Sequence, residues 1–171
     1  NITYANHRSY PSDAADLSIR FGTGHWPGYH SEPLISGAVT PFCSRQFLQR
    51  HGPIDSPQAL SELPLLHDEE RGTWGQWFDA AALNHSNSHN GLLLEDGQLT
   101  LVATLTGLGC SLLRAPLVAP LVAQGELVQL SDLPVDDGRQ YYLCRRASSE
   151  LSSEGNNLYD WIKSRLGHTP L

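Results

Sequence analysis

From Ser44 onward the chain alternates short apolar runs with helix-length segments, and this alternation limits the folds open to it more than any other feature. Ser44 is placed to cap a short helix carrying Phe47 and Leu48, which Gly52 ends. Ser56-Pro57 opens another, with the hydroxyl at the cap and proline at the first helical position. A strand over 63–67, a helix over 75–83, a polar loop over 84–90 and a strand over 92–95 follow. A helix over 98–106 then closes at Gly107-Leu108-Gly109. A strand over 110–114 leads into a helix opened by Ala115-Pro116 and ended by Gly125. The last strand is expected over 140–145. The last helix is expected at Ser153–Leu166, where Leu158, Trp161, Ile162 and Leu166 form an amphipathic stripe and Gly167 supplies a stop. Upstream, Asp16-Leu17-Ser18-Ile19-Arg20-Phe21 alternates with period two, and further strands are expected around 32–35 and 39–43. Strands separated by helices of this length imply an α/β fold with largely parallel, helix-covered sheets.

Composition excludes several function classes. The 171 residues carry a net charge of −7, which argues against nucleic-acid binding by the chain's own overall charge. At 40% apolar and 17% charged residues the chain is an ordinary globular one. No apolar run approaches the ~20 residues of a membrane span, and no signal segment opens the chain. The absence of methionine, even at position 1, points to a fragment or a processed product. Cys43, Cys110 and Cys144 are odd in number and form no C-x-x-C pair. They read as free thiols packed as small hydrophobes in a reducing, cytoplasmic compartment. Cys43 and Cys144 fall on candidate neighbouring strands and are the one pair considered for a bridge.

Each chemical motif has a plainer competitor. His85-x-x-x-His89 has zinc-ligand spacing, but the surrounding Asn and Ser disfavour a helix and no third ligand is nearby, so a polar loop is the better reading and no metal is expected. Gly22-x-Gly24 follows a strand but no amphipathic helix follows it, and Gly107-x-Gly109 comes after a helix rather than before one. Both are turns, not phosphate loops. No Gly-x-Ser-x-Gly elbow supports a hydrolase, and no catalytic residue is assigned. Asp68-Glu69-Glu70 reads as a solvated turn. Trp74-x-x-Trp77 at a loop-to-helix junction reads either as one core and one half-exposed aromatic or as the wall of a ligand cleft. The clearest local binding signal is Asp96-Gly97-Gln98-Leu99-Thr100. There Asp96 can cap a helix whose first amides favour an anionic group at the carboxyl end of a strand.

Read as a whole, residues 16–28, Asp-Leu-Ser-Ile-Arg-Phe-Gly-Thr-Gly-His-Trp-Pro-Gly, resemble the "DLAIRFGxGxWPG" stretch of LysR-type transcriptional regulators. The similarity is strongest to the branch of the glycine-cleavage and β-lactamase activators. It continues through Val39-Thr40-Pro41-Phe42-Cys43-Ser44, Leu63-Pro64-Leu65-Leu66-His67-Asp68, Trp74-x-x-Trp77, Leu99-Thr100, Gly107-x-Gly109 and Tyr159-Asp160-Trp161-Ile162. It covers nearly the whole chain in order, and it concerns the C-terminal effector-binding domain of that family.

The resemblance implies a two-lobed, periplasmic-binding-protein-like fold of type 2, with two crossover strands and a ligand cleft between the lobes. Lobe I would comprise 1–43 plus 143–171, and lobe II 44–142. The family's winged helix-turn-helix and the first strand and helix of lobe I would lie outside this sequence. By positional match the effector contacts would be Tyr4, Ala5 and Asn6, then Thr73, Trp74, Gln98, Leu99 and Thr100, and finally Tyr141. Tyr10 stands where an acid is common and Gln98 where a small hydroxyl is common, two departures that bear on effector choice. The implied partners are a small-molecule effector, for which the amides of Gly97 to Leu99 suggest a carboxylate, and DNA through the missing N-terminal domain alone. A homodimer or dimer of dimers is implied, with no cofactor, no enzyme activity and no membrane association. The competing function is that of a periplasmic solute-binding protein, which shares the lobed architecture.

Overall fold

The computed structural model describes residues 15–84, 87–148 and 150–166. The chain divides into two compact units, 1–37 with 137–171 and 38–136.

The first unit is built on β1 (Leu17–Gly22), β2 (Tyr29–Ile35) and β8 (Gln140–Arg146), which form a sheet in the order β1-β8-β2. Both pairings are antiparallel. The Arg-Phe-Gly-x-Gly-x-Trp-Pro-Gly motif shapes the turn from β1 to β2. The Arg20 guanidinium lies 3.8 Å from the Tyr29 ring centre and 5.8 Å from that of Trp26. Trp26 in turn meets Tyr142 edge-on at 5.6 Å. Stacking on aromatic faces lets this cation sit 8% exposed in the sheet.

Helix α5 (Ser153–Leu166) has the expected bounds, but of the expected stripe Ile162 alone packs on the core. Tyr159 and Ile162 pack on the core of Leu34, Ile35 and Leu143. Leu158 and Trp161 stay 48% and 58% exposed. The helix is oriented by polar contacts: Glu32 of β2 accepts hydrogen bonds from the Tyr159 hydroxyl and the Lys163 ammonium. Lys163 first, then Tyr159, hold the Glu32 carboxyl below its ordinary value. Burial first, then Glu32, push the Tyr159 phenol up to about 12.

A carboxylate whose folded pKa is depressed contributes stability above its unfolded pKa, near 4.3, and loses that contribution as pH falls through the lower folded value. Glu32 and Lys163 are each 45% exposed in their side chains, so solvent screening keeps the contribution small. The Glu32→Gln variant should therefore be less stable than the parent at pH 7 and close to it near pH 3. Urea midpoints at the two pH values check this, and a difference independent of pH would contradict it.

The second unit carries a five-stranded sheet in the order β5-β4-β6-β3-β7. Its strands are β3 (Thr40–Ser44), β4 (Leu65–Asp68), β5 (Leu92–Leu94), β6 (Cys110–Leu113) and β7 (Leu127–Gln129). Strand β4 runs parallel to β5 and β6, whereas β3 is antiparallel to β6 and β7. This sheet is thus mixed and the first antiparallel, so the sheets are not largely parallel. The cysteine pair considered for a bridge is separated: Cys43 is on β3 and Cys144 on β8, strands of different sheets, and all three thiols are free.

Helices α1 (Arg45–His51), α2 (Gly72–Ala80), α3 (Gly97–Leu105) and α4 (Ala115–Ala123) flank this sheet, and Pro57–Glu62 forms a 3-10 turn where a helix was expected. Sequence signals explain the ends. The Ser44 hydroxyl accepts from Phe47 N at 3.2 Å, and Gly52 ends α1 at φ 83°. Helix α3 closes with Gly107 at φ 74°, donating to Thr104 O while Leu108 N donates to Ala103 O, the paired closure that favours glycine. One sheet face buries Cys43, Phe47, Leu60, Leu65, Trp74, Trp77 and Phe78, and Phe42, Leu113, Val118 and Leu127 form a second cluster. Among the described residues no helix is long and apolar enough to cross a membrane.

Candidate functional site

Because β4 and β5 are parallel and adjacent, with Asp68 beside Leu94, the helices that follow them start at the same end of the sheet. Helix α2 begins at Gly72 and α3 at Gly97, both just beyond the carboxyl ends of their strands. In open α/β sheets this is where ligands bind. The corner so formed holds Thr73 on α2, and Gln98, Leu99 and Thr100 on α3.

These residues are not equivalent. Gln98 is exposed and Leu99 is 57% exposed, an apolar side chain turned to solvent beside a polar one. Thr73 is half-buried. Thr100 is 1% exposed, and its hydroxyl donates to Asp96 O at 3.1 Å, so it holds the turn together. Trp74 is 1% exposed and its indole N–H donates to Leu66 O at 3.0 Å. Trp77 is fully buried, with its indole N–H on Leu133 O at 3.0 Å. Neither indole is a half-exposed cleft wall. A spacing of three puts both rings on the same helix face, and that face is the core.

Two of the α3 amides, those of Gln98 and Leu99, are not open to an anion. Asp96 Oδ1 accepts from Gln98 N at 2.8 Å and from Leu99 N at 3.2 Å. The cap foreseen in the sequence therefore occupies two of the three donors expected to hold a ligand carboxylate, those of Gln98 and Leu99. Asp68 reinforces this, since a Cβ placed on Gly97 would lie 3.4 Å from Asp68 Oδ2. The corner presents carboxylate oxygens, which attract cations and hydrogen-bond donors. The sequence pattern alone places Asp68 in a solvated turn. Its closeness to Gly97 follows from the parallel β4–β5 register, which single-strand patterns do not reveal. Glu69, next in that turn, adopts φ 61°.

Behind the corner, Arg71 donates to the carbonyls of His89 and Gly91 at 2.7 and 2.9 Å and ties the 87–91 loop to the start of α2. His67 is 1% exposed and its Nε2 pairs with Asn90 O at 2.8 Å. Burial, more than any neighbouring charge, holds the His67 pKa below its ordinary value. His85 of the His85/His89 pair lies outside the described residues. Among the described residues no group of three or more His, Cys, Asp or Glu is arranged to hold a metal.

Tyr141 belongs to the first unit. It sits on β8 opposite Phe21, with ring centres 4.8 Å apart, and is half-buried. Tyr4, Ala5 and Asn6 lie outside the described residues.

Residues 8–167 match the model of the LysR substrate binding domain. The chain belongs to the LysR substrate-binding domain family. Its fold is accordingly the two-lobed, periplasmic-binding-protein-like one. Among curated relatives, this LysR domain is 30% identical over 141 residues to the glycine cleavage system transcriptional activator of Escherichia coli K12, covering 82% of this chain and 46% of that protein. It is 28% identical over 151 residues to the HTH-type transcriptional activator AmpR of Citrobacter koseri, covering 88% of this chain and 51% of that protein. The LysR domain thus spans about half the length of the curated relatives it matches. Among solved structures, the AmpR effector binding domain from Citrobacter freundii superposes with a TM-score of 0.79 at 22% identity, covering 96% of this chain and 82% of that one. The CrgA regulatory domain from Neisseria meningitidis, a LysR-type transcriptional regulator, gives 0.66 at 21% identity, covering 87% and 75%. These relatives are named as transcriptional regulators, which does not favour the periplasmic solute-binding alternative.

Proposed function

We propose that this LysR domain is the effector-binding module of a cytoplasmic transcription regulator and performs no catalytic step. It binds a small-molecule co-inducer in the cleft that the family resemblance implies, and passes the binding event to a DNA-binding domain outside this sequence, within a homodimer or dimer of dimers. The observation that carries the reading is the shared start of α2 and α3 beyond β4 and β5, with the Gln98 and Leu99 side chains exposed there. Thr73, Gln98 and Leu99 contact the ligand, and Trp74 and Thr100 act by fixing the two helix starts. Tyr141 and the segment Tyr4, Ala5, Asn6 complete the set. The Asp68 and Asp96 carboxylates favour an amine or hydroxyl of the ligand at this corner, so a ligand carboxylate is directed elsewhere. To switch a regulator, the effector must bind one arrangement of the protein more tightly than another.

A thermal-shift panel of amino acids, amines and dicarboxylates tests this. A ligand at a hundred times its Kd should raise the Tm by roughly 5–10 °C. Gln98→Ala and Tyr141→Ala should each lose most of that shift while keeping the unliganded Tm within a few degrees. Equal shifts in the parent and both variants would remove these side chains from the site.

A further inference from the structure

Cys43 and Cys110 meet inside the second unit. The antiparallel register of β3 and β6 runs Thr40↔Leu113, Pro41↔Leu112, Phe42↔Ser111, and its next step sets Cys43 opposite Cys110. Directly opposed residues in such a pair have Cα atoms about 4.5–5.5 Å apart, within the roughly 4.4–6.8 Å that disulfides span. Opposed side chains share one face of the sheet, and both cysteines belong to the same core cluster, with Phe47, Leu65 and Trp74. Their thiols share a hydrogen bond. Cys144 stands apart on β8, its thiol 3.5 Å from the Ser31 hydroxyl.

The pair is fully buried at the last rung of the β3–β6 ladder, with Cys43 also opposite Val128 of β7 and Cys110 beside Leu65 of β4. Cys110 is the first residue of β6, just after the Gly107 turn, and Cys43 is the penultimate residue of β3. Arg50 fastens the turn by donating to Gly107 O. Reaction at this rung requires a transient opening that admits a small oxidant to the sulfurs.

We propose that Cys43 and Cys110 are a dithiol modification site, which a hydroperoxide converts into a disulfide stapling β3 to β6. The hydrogen bond from Cys110 favours ionisation of Cys43, whereas Cys110 is held above the ordinary thiol range by that bond and by burial. Cys43 therefore reacts first. Its sulfur attacks one peroxide oxygen, the O–O bond breaks, and a sulfenic acid forms as water leaves. The Cys110 sulfur then attacks the sulfenic sulfur, the S–O bond breaks, and a second water carries off the Cys110 proton. Two thiols are oxidised by two electrons and one hydrogen peroxide is reduced to two waters.

The test is exposure of the folded, unmutated chain to hydrogen peroxide, followed by thiol blocking in denaturant and non-reducing peptide mapping by mass spectrometry. The expected product is the Cys43 peptide joined to the Cys110 peptide, with Cys144 still alkylated and dithiothreitol restoring both free peptides. The staple should also raise the Tm by several degrees relative to the reduced chain. Sulfinic acid on unlinked Cys43 or Cys110, a linkage through Cys144, or three reduced thiols at exposures that fully oxidise glutathione would each overturn the proposal.

Discussion

Replacing Trp77 with alanine is expected to cost the second unit about 3–5 kcal/mol, the range for removing a buried large aromatic. The indole is fully buried, meets Phe78 edge-on at 5.3 Å and Trp74 at 5.9 Å, and satisfies the Leu133 carbonyl. Alanine leaves a cavity and removes that donor together. Trp77→Phe separates the two effects: it keeps a ring but leaves Leu133 O unpaired, and should cost about 1–3 kcal/mol. Urea unfolding followed through the second unit's transition gives both values. A loss under about 1 kcal/mol for Trp77→Ala would mean that the ring is not part of the core.

Gly24→Ala is expected to be nearly as damaging, at about 2–5 kcal/mol, combining left-handed backbone strain with overpacking. Gly24 has φ +87°, and a Cβ there would lie 2.6 Å from the Tyr142 ring. Displacing that ring disturbs its contact with Trp26 and, through Trp26, the stacking of Arg20. Gly28 is the control in the same turn. Its φ is +82°, but nothing lies within 4 Å of an added Cβ, so Gly28→Ala should cost only about 1 kcal/mol. Equal losses at the two positions would show that backbone conformation alone, not the Tyr142 contact, makes glycine necessary at Gly24.

Local signals were legible where one residue's chemistry decides the outcome. Ser44 and Gly52 bracket α1, Asp96 caps α3 and Gly107 closes it, because capping depends on neighbours a few positions away. What failed depends on distant partners. Strand β7 went unnoticed because its three residues, Leu-Val-Gln, are too few to show alternation and are defined by pairing with β3. The expectation of largely parallel sheets fails for β3, which is antiparallel to β6 and β7, and for β1, β8 and β2. The α5 stripe of Leu158, Trp161, Ile162 and Leu166 holds only at Ile162, because hydropathy cannot register that Glu32 draws Tyr159 toward the sheet.

The candidate site divides in the same way. The Asp96–Thr100 turn was visible as a cap at a strand end, while occupation of its amides by Asp96 and the approach of Asp68 to Gly97 required the β4–β5 register. Trp74 and Trp77 were ambiguous, since an aromatic pair at helical spacing serves a core and a cleft equally well. Their burial decides for the core.

Backbone amide NMR during titration with the probe that most stabilises the chain locates the ligand on the second unit residue by residue. The largest shift changes are expected on Thr73 and on Gly97 through Thr100, at the joint start of α2 and α3. Changes confined to other parts of the second unit, or no probe of the panel moving any amide, would contradict this expectation.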